Sequence, residues 1–499
     1  MITLANLGFP RIGKDRELKF ALEKYWRKEI SLAMLRETAA QIRKNNWELQ
    51  RTAGIDQIPC GDFSFYDHVL DHLYMFGAIP PRFKELHFDH GEDLYFSLAR
   101  GFQQPNGQPV AAMEMTKWFN TNYHYIVPEI EPETHFSLDP QKLLQEIEHA
   151  ATLGIHARPV LLGPVSFLLL SKSSRSGFDP LEKLSELLPV YENLLSTLRD
   201  ASVRWIQLDE PFLSADLTPQ ARAAFKTMFT SLGGLAARPK VILTAYFADL
   251  QLNNDLVHQS PFEGLHIDLI QTQDPQKLAA GLKGLEVLSL GLINGRNIWR
   301  EDMQKTASLA SAVMESGSAQ NYQFAPSCSL LHLPYDVERE DEIDPQVRYW
   351  MAFAQQKLEI LACLGRMIKD GQSQDPFFLH NQEILADRAS SPFVHSPEKM
   401  PTLADISPSD MARRSVFPER KKLQNAALNL PLLPTTTIGS FPQTAAVRKA
   451  RADMGKGTIS MSEYESFVKE EIKRTVQFQE TIGLDVLVHG EFERNDMVQ

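Results

Sequence analysis

Cysteine is scarce: the chain of 499 residues has three, Cys60, Cys328 and Cys363, far apart and with neither a C-x-x-C nor an H-x-C spacing. That argues against a disulfide framework and against a local zinc knuckle, and a reducing cytoplasm is the expected compartment. No run of roughly eighteen apolar residues occurs, so no membrane-spanning helix is expected. The start, Met1-Ile2-Thr3-Leu4, lacks the basic flank and apolar stretch of a secretory signal. Positive charge is in deficit, with 51 Lys and Arg against 63 Asp and Glu and a net charge of -12, which argues against nucleic acid as a partner. No G-x-G-x-x-G turn follows the first apolar run, which weakens an open doubly wound sheet as the fold.

With 43% hydrophobic and 23% charged residues, the composition is globular and the length allows more than one core. Eight short strand-like runs recur with helical sequence between them. They are Thr3–Gly8, Ile55–Gly61, Val160–Gly163, Trp205–Leu208, Val241–Tyr246, Leu265–Leu269, Val287–Leu292 and Gln323–Ser327. Strands alternating with helices over residues 1–370 predict an α/β fold, a closed (β/α)8 barrel of the TIM type with insertions. Residues 371–434 contain eight of the thirty prolines, at positions 376, 392, 397, 401, 408, 418, 431 and 434. They predict an inter-domain linker crossing the surface.

Beyond the linker the start of the chain recurs. Gly8-Phe9-Pro10 is echoed by Gly439-Ser440-Phe441-Pro442, and residues 54–69 align without a gap on 483–498 with six identities. The two paired elements are 46 residues apart in the first copy and 44 in the second. Two matches in one order at nearly one separation argue for a duplicated barrel. The second copy then comprises residues 435–499, enough for the first βα units of a second, incomplete (β/α)8 barrel.

Four stretches carry residue types suited to ligands. Residues 1–50 hold ten Lys and Arg against six Asp and Glu. If a helix begins near Asp15, Arg16 and Lys19 share a face near its N-terminus, where a ligand carboxylate meets free N–H groups and two cations. An exposed basic helix explains the same residues without a ligand. Residues 113–125 set Trp118, Phe119, Tyr123 and Tyr125 beside Lys117 and His124, which suits a flat heteroaromatic ligand with an anionic tail, or else an aromatic-rich hairpin. Asp209 and Glu210 end a strand-like run on what would be the catalytic face of a barrel, where they bind a substrate amine or order a neighbouring helix; the second role is the one expected. In the second copy, Gly439 and Ser440 offer open backbone and a hydroxyl, and Glu491 a carboxylate for an ammonium group.

Eight words, GFPRIG with RELK (8–13 and 16–19), MTKWFNTNYHY (115–125), LLGPV (161–165), QLDEP (207–211), GLINGRNIW (291–299), SCSLLH (327–332), TTTIGSFPQT (435–444) and DVLVHGEFERNDMV (485–498), resemble signature stretches of cobalamin-independent methionine synthases, in that family's order. The resemblance implies two (β/α)8 barrels and methyl transfer from 5-methyltetrahydropteroyltri-L-glutamate to L-homocysteine, giving methionine. It places folate-tail contacts on Arg16, Glu17, Leu18, Lys19 and Lys117. It places homocysteine contacts on Ile438, Gly439, Ser440 and Glu491.

The family also uses zinc, which lowers the pKa of the homocysteine thiol, and a histidine that protonates the folate nitrogen. Both fall late in the second barrel, at positions that follow Gln499. The resemblance therefore implies a chain truncated within its C-terminal catalytic barrel, with no metal ligand and no catalytic residue of its own, and inactive alone. The alternatives are a non-catalytic polyglutamyl-folate-binding remnant and one half of a split enzyme completed by a separate C-terminal polypeptide. Cys328, without His or Cys partners at ligand spacing, is expected to be a core residue. Arg16, Lys19 and Lys117 are expected to converge on one surface. A barrel hydrolase built on Asp209 and Glu210 explains none of the eight words.

Overall fold

The computed structural model describes residues 1–104, 106–371, 374–394 and 405–494. The chain divides into two compact units, Met1–His395 and Ser396–Gln499. Among the described residues no helix is long and apolar enough to cross a membrane.

The first unit is an α/β fold on one curled parallel sheet. Its eight strands are β1 (Ile2–Leu4), β2 (Pro59–Cys60), β7 (Arg158–Leu162), β8 (Trp205–Asp209), β9 (Lys240–Thr244), β10 (Gly264–Asp268), β11 (Val287–Ile293) and β12 (Asn321–Pro326). Each arises in one of the eight apolar runs, and they pair in the order β1-β12-β11-β10-β9-β8-β7-β2. The two edges meet: Ala5 bridges Gln57 in parallel, and Asn6 N donates to Gln57 O at 3.1 Å. Parallel neighbours need crossovers, and helices supply them. After β1 come α1 (Glu17–Trp26) and α2 (Leu32–Thr52), and after β2 comes α3 (His68–Met75). The long passage from β2 to β7 also holds two hairpins, β3 (Phe102–Gln103) with β4 (Pro109–Val110) and β5 (Met115–Lys117) with β6 (His124–Ile126).

The inside of the curl holds polar side chains that bond one another. Arg158, buried, donates to Gln323 Oε1 at 2.9 Å, Gln207 Oε1 at 2.9 Å and Asn6 O at 3.0 Å, and Gln207 passes a bond on to Leu7 O at 3.1 Å. His266 meets Ser289 Oγ at 2.9 Å in the same interior. These bonds tie β1, β7, β8 and β12 across the sheet, so register is held from within as well as along the ladders.

The second unit repeats the opening of the first. Ser31 caps α2 and Ser460 caps the helix Met461–Ile482, each accepting from the backbone three residues on. Asp56 Oδ2 accepts from Leu4 N at 2.8 Å, and Asp485 Oδ2 accepts from Thr435 N at 2.8 Å. The carbonyls of Leu4 and Thr435 each receive two N–H groups in return, from Asp56 and Gln57 and from Asp485 and Val486. The segments 435–440 and 485–490 therefore lie side by side as β1 and β2 do. They carry a bridge, Ser440 to Gly490, but no regular strand among the described residues. In the first unit β1 and β2 each gain a second neighbour, β12 and β7; within the described second unit the pair has only itself. Its small core is Val447, Tyr464, Val468 and Phe492.

Candidate functional site

The basic segment differs from its expected helix. Helix α1 starts at Glu17, and Arg16 precedes it in the left-handed region, φ 61°. The loop before it is tight. Glu17 Oε2 turns back to accept from Asp15 N at 2.9 Å, and a Cβ on Gly13, at φ 86°, would collide with that carboxylate. Arg16 thus stands at the helix mouth, off the helical face. Its guanidinium has no hydrogen-bond or ion-pair partner among the described residues. Leu18 is fully buried and anchors the turn. Lys19 is half exposed, 4.0 Å from Glu23. Lys14 and Asp15 tie the loop to Asp336 at 2.9 Å and to Arg339 at 3.1 Å.

Lys117 ends β5 opposite His124, exposed and without a salt-bridge partner among the described residues. The hairpin is aromatic but not superficial: Trp118 is buried, 4.4 Å from the His68 ring. No described contact joins Lys117 to Arg16 or Lys19, which stand on separate elements.

At the carboxyl ends of the strands, Glu210 accepts from Val165 N at 3.0 Å and Ser166 N at 2.8 Å, the first turn of the helix Pro164–Leu169. Gly163 makes room, since a Cβ there would overlap the Glu210 carboxyl. Burial pushes Glu210 up to about 8. Asp209 accepts from Gln207 Nε2 at 2.8 Å and Tyr246 OH at 3.1 Å, and burial raises it to about 7. Both carboxyls are thus committed to order within the unit. Cys60, Cys328 and Cys363 are free and buried. Burial pushes the Cys328 thiol well up, so it is neither a thiolate nor a ready ligand. Among the described residues no group of three or more His, Cys, Asp and Glu is placed to hold a metal ion. These residues therefore do not furnish the donor set that zinc requires.

In the second unit the predicted residues do come together. Gly439 (φ 141°) and Ser440 end the first segment, and Gly490 (φ 95°) and Glu491 end the second. Ser440 Oγ donates to Glu491 Oε2, and Arg494 pairs with Glu491 Oε1. The Ser440 bond first and Arg494 second hold the Glu491 carboxyl below the ordinary glutamate range. A Cβ at Gly439 would come 2.9 Å from Glu491 Oε1, so glycine leaves that carboxylate its space. Ile438 is fully exposed. Sequence reasoning missed Gln443, Arg451 and Arg494. The signal for Arg494 lies in its spacing, three after Glu491; Arg451 has no local signal, because it reaches the site from a helix.

In the first copy the equivalent place is closed. Asp62, the counterpart of Glu491, accepts from Phe9 N at 2.9 Å, and burial raises it to about 6. Leu330 N donates to Gly8 O at 3.0 Å, and a Cβ on Gly8 would collide with Ser329 Oγ.

Two family models match the chain: the cobalamin-independent synthase N-terminal domain over residues 3–317, and the catalytic domain of the same synthase over residues 433–499. A 5-methyltetrahydropteroyltriglutamate–homocysteine methyltransferase of Xylella fastidiosa (strain M23) is 48% identical over 500 residues, covering 100% of this chain and 66% of its own length. One of the same name from Cytophaga hutchinsonii is 45% identical over 508 residues, covering 99% of this chain and 65% of its own length. The chain thus spans about two thirds of the length of the relatives it matches. A B12-independent methionine synthase from Shewanella sp. W3-18-1, solved with selenomethionine, shares the fold with a TM-score of 0.50 at 13% identity, covering 74% of this chain and 98% of that one.

Proposed function

From the premise that the chain belongs to the cobalamin-independent methionine synthase family, a family of methyltransferases, we propose that it serves methyl transfer from 5-methyltetrahydropteroyltri-L-glutamate to L-homocysteine, giving methionine, in the cytoplasm. Glu491 carries the reading. It is a carboxylate kept ionised by Ser440 and Arg494 beside a glycine that leaves it room, the chemistry that receives the ammonium group of an amino acid. Ile438, Gly439 and Ser440 line the amino acid.

The folate tail is assigned to the first unit. Arg16, Lys19 and Lys117 are exposed cations, and successive glutamates of the tail offer carboxylates to them and to the N–H groups at the mouth of α1. Glu17 and Leu18 shape that mouth. Residues 1–370 are read as a closed (β/α)8 barrel, in keeping with the bridge between its edge segments, and residues 435–499 as the opening of a catalytic barrel; of the stretch 371–434 expected to be a linker, the helix Pro376–Ser390 instead belongs to the first unit, with Phe378 in its core and Asn381 donating to Glu301 O at 2.9 Å. Zinc belongs to the family's chemistry, and no step here is assigned through it.

The test is binding of mono- and triglutamyl methyltetrahydrofolate to the chain and to Lys117→Ala. A preference for triglutamate that falls about tenfold in the variant, and weakens with salt, supports the tail site. Equal affinity in all four combinations refutes it.

A further inference from the structure

We infer that Arg451 is a positioning residue for the amino-acid site, holding the turn that aims Glu491; the inference rests on the reading that Glu491 receives the ligand's ammonium group. Glu491 has a left-handed backbone, φ 58°. For a residue with a full side chain that conformation is costly and persists only where the surroundings over-determine it. The surroundings here form a clamp. Arg451, on the helix Ala445–Gly455, donates through Nη2 to Phe492 O at 2.8 Å and Arg494 O at 3.3 Å, and to Gln443 Oε1 at 3.1 Å. Gln443 in turn reaches Arg494 O at 3.3 Å and Glu491 O at 3.5 Å. Main-chain carbonyls on and after Glu491 are thus gripped from one side, while Phe492 is sunk in the core with Val447, Tyr464 and Val468. Without the clamp, the turn is free to relax to right-handed dihedrals and swing the carboxylate off Ser440.

The duplicated unit supplies an independent observation. Phe63 and Phe65 are the counterparts of Phe492 and Arg494. Their carbonyls also receive cationic side chains, Phe63 O from Lys142 Nζ at 2.6 Å and Phe65 O from Arg11 Nη1 at 3.3 Å. The donors come from different places in the chain, yet the same two carbonyls are held in both copies. A cation thus meets the turn after the second strand in both copies, while only Glu491, and not Asp62, takes the left-handed backbone. One nitrogen, Arg451 Nη2, meets in the second copy the two carbonyls that two separate cations meet in the first.

The test uses the full chain and three variants, Arg451→Met, Arg451→Lys and Glu491→Gln. Backbone amide exchange is measured over residues 488–494 and over the helix Met461–Ile482. Affinity is measured for methionine and for its analogue with hydrogen in place of the amino group. In Arg451→Met, exchange of the turn is expected to rise about tenfold while the helix is unchanged. Methionine is expected to lose about tenfold in affinity and the analogue none, because only the amine depends on Glu491. Arg451→Lys, which keeps the charge on a shorter side chain, should recover part of both. Unchanged turn exchange and unchanged preference for methionine in Arg451→Met, with the preference lost in Glu491→Gln, would overturn the inference. A preference that survives Glu491→Gln, or is absent from the wild type, would overturn the reading of Glu491 instead and leave turn exchange to decide on Arg451.

Discussion

Arg158 keeps its charge at the centre of the sheet without a carboxylate bonded to it; its direct partners are two amide oxygens and a carbonyl, and burial lowers it to about 10. Arg158→Met should relieve the buried charge but strand three acceptors, each worth about 1–3 kcal/mol when unpaired. A net loss of about 2–4 kcal/mol in urea unfolding is expected; an unchanged midpoint would mean that water replaces the guanidinium. Nothing in the word RPVLL marks this arginine as internal, because a charged residue opening a strand reads as exposed until the curl closes around it. Asp209 and Glu210 give a second residue-scale test. Their folded values, about 7 and about 8, lie above the ordinary carboxyl range of about 4. The folded state therefore keeps protons that the unfolded chain releases. This contribution to stability is complete below about pH 4 and is lost as pH rises through about 7–8. The unfolding free energy of the first unit should fall across that window, and Asp209→Asn with Glu210→Gln should flatten the slope. A slope that the double variant leaves intact would refute the assignment.

Helix α2 and its counterpart in the second unit show how one element is fitted to two settings. In the second unit Gln479 closes on its own strand segment: Oε1 accepts from Val488 N at 2.9 Å and Nε2 donates to Val488 O at 2.7 Å. The counterpart of Val488 is Pro59, which has no N–H to give. Gln50 Oε1 instead accepts from Asn6 Nδ2 at 2.8 Å, and Pro59 O is taken by Trp47 Nε1 at 3.0 Å. Val488→Pro should therefore leave Gln479 Oε1 buried and unpaired, at a cost of about 1–3 kcal/mol, while Val488→Ile should be nearly neutral; equal thermal midpoints for the two would sink this. Ser460→Ala, removing a cap, should cost about 1 kcal/mol, read from the same melting curves. At this scale the sequence was informative. All eight apolar runs are strands of one sheet, because compact apolar segments between helices have few other places to go. Helix α1 begins two residues after Asp15, where Arg16 takes a left-handed backbone and Glu17 turns its carboxylate back onto Asp15 N.

The two units differ in what holds them. The first has a continuous core, whereas the second rests on Val447, Tyr464, Val468 and Phe492 with flanking partly buried residues. Residues 405–494 should lose amide protection at lower denaturant than residues 1–394, and one two-state curve should fail to fit both. Coincident loss of protection in the two units would refute this. The duplication was legible from sixteen aligned residues; its chemistry was not, because Asp62 and Glu491 look alike until their neighbours are seen. One has its carboxyl bonded to Phe9 N with Ser329 and Leu330 seated on Gly8. The other lies beside Gly439 with Ser440 and Arg494 on its two oxygens, at the surface and not sealed by backbone. The stoichiometry of ligand binding follows. Although the chain carries the same framework twice, the first copy is saturated by its own atoms. An amino-acid titration should give a single-class isotherm with one equivalent bound, at every concentration short of unfolding.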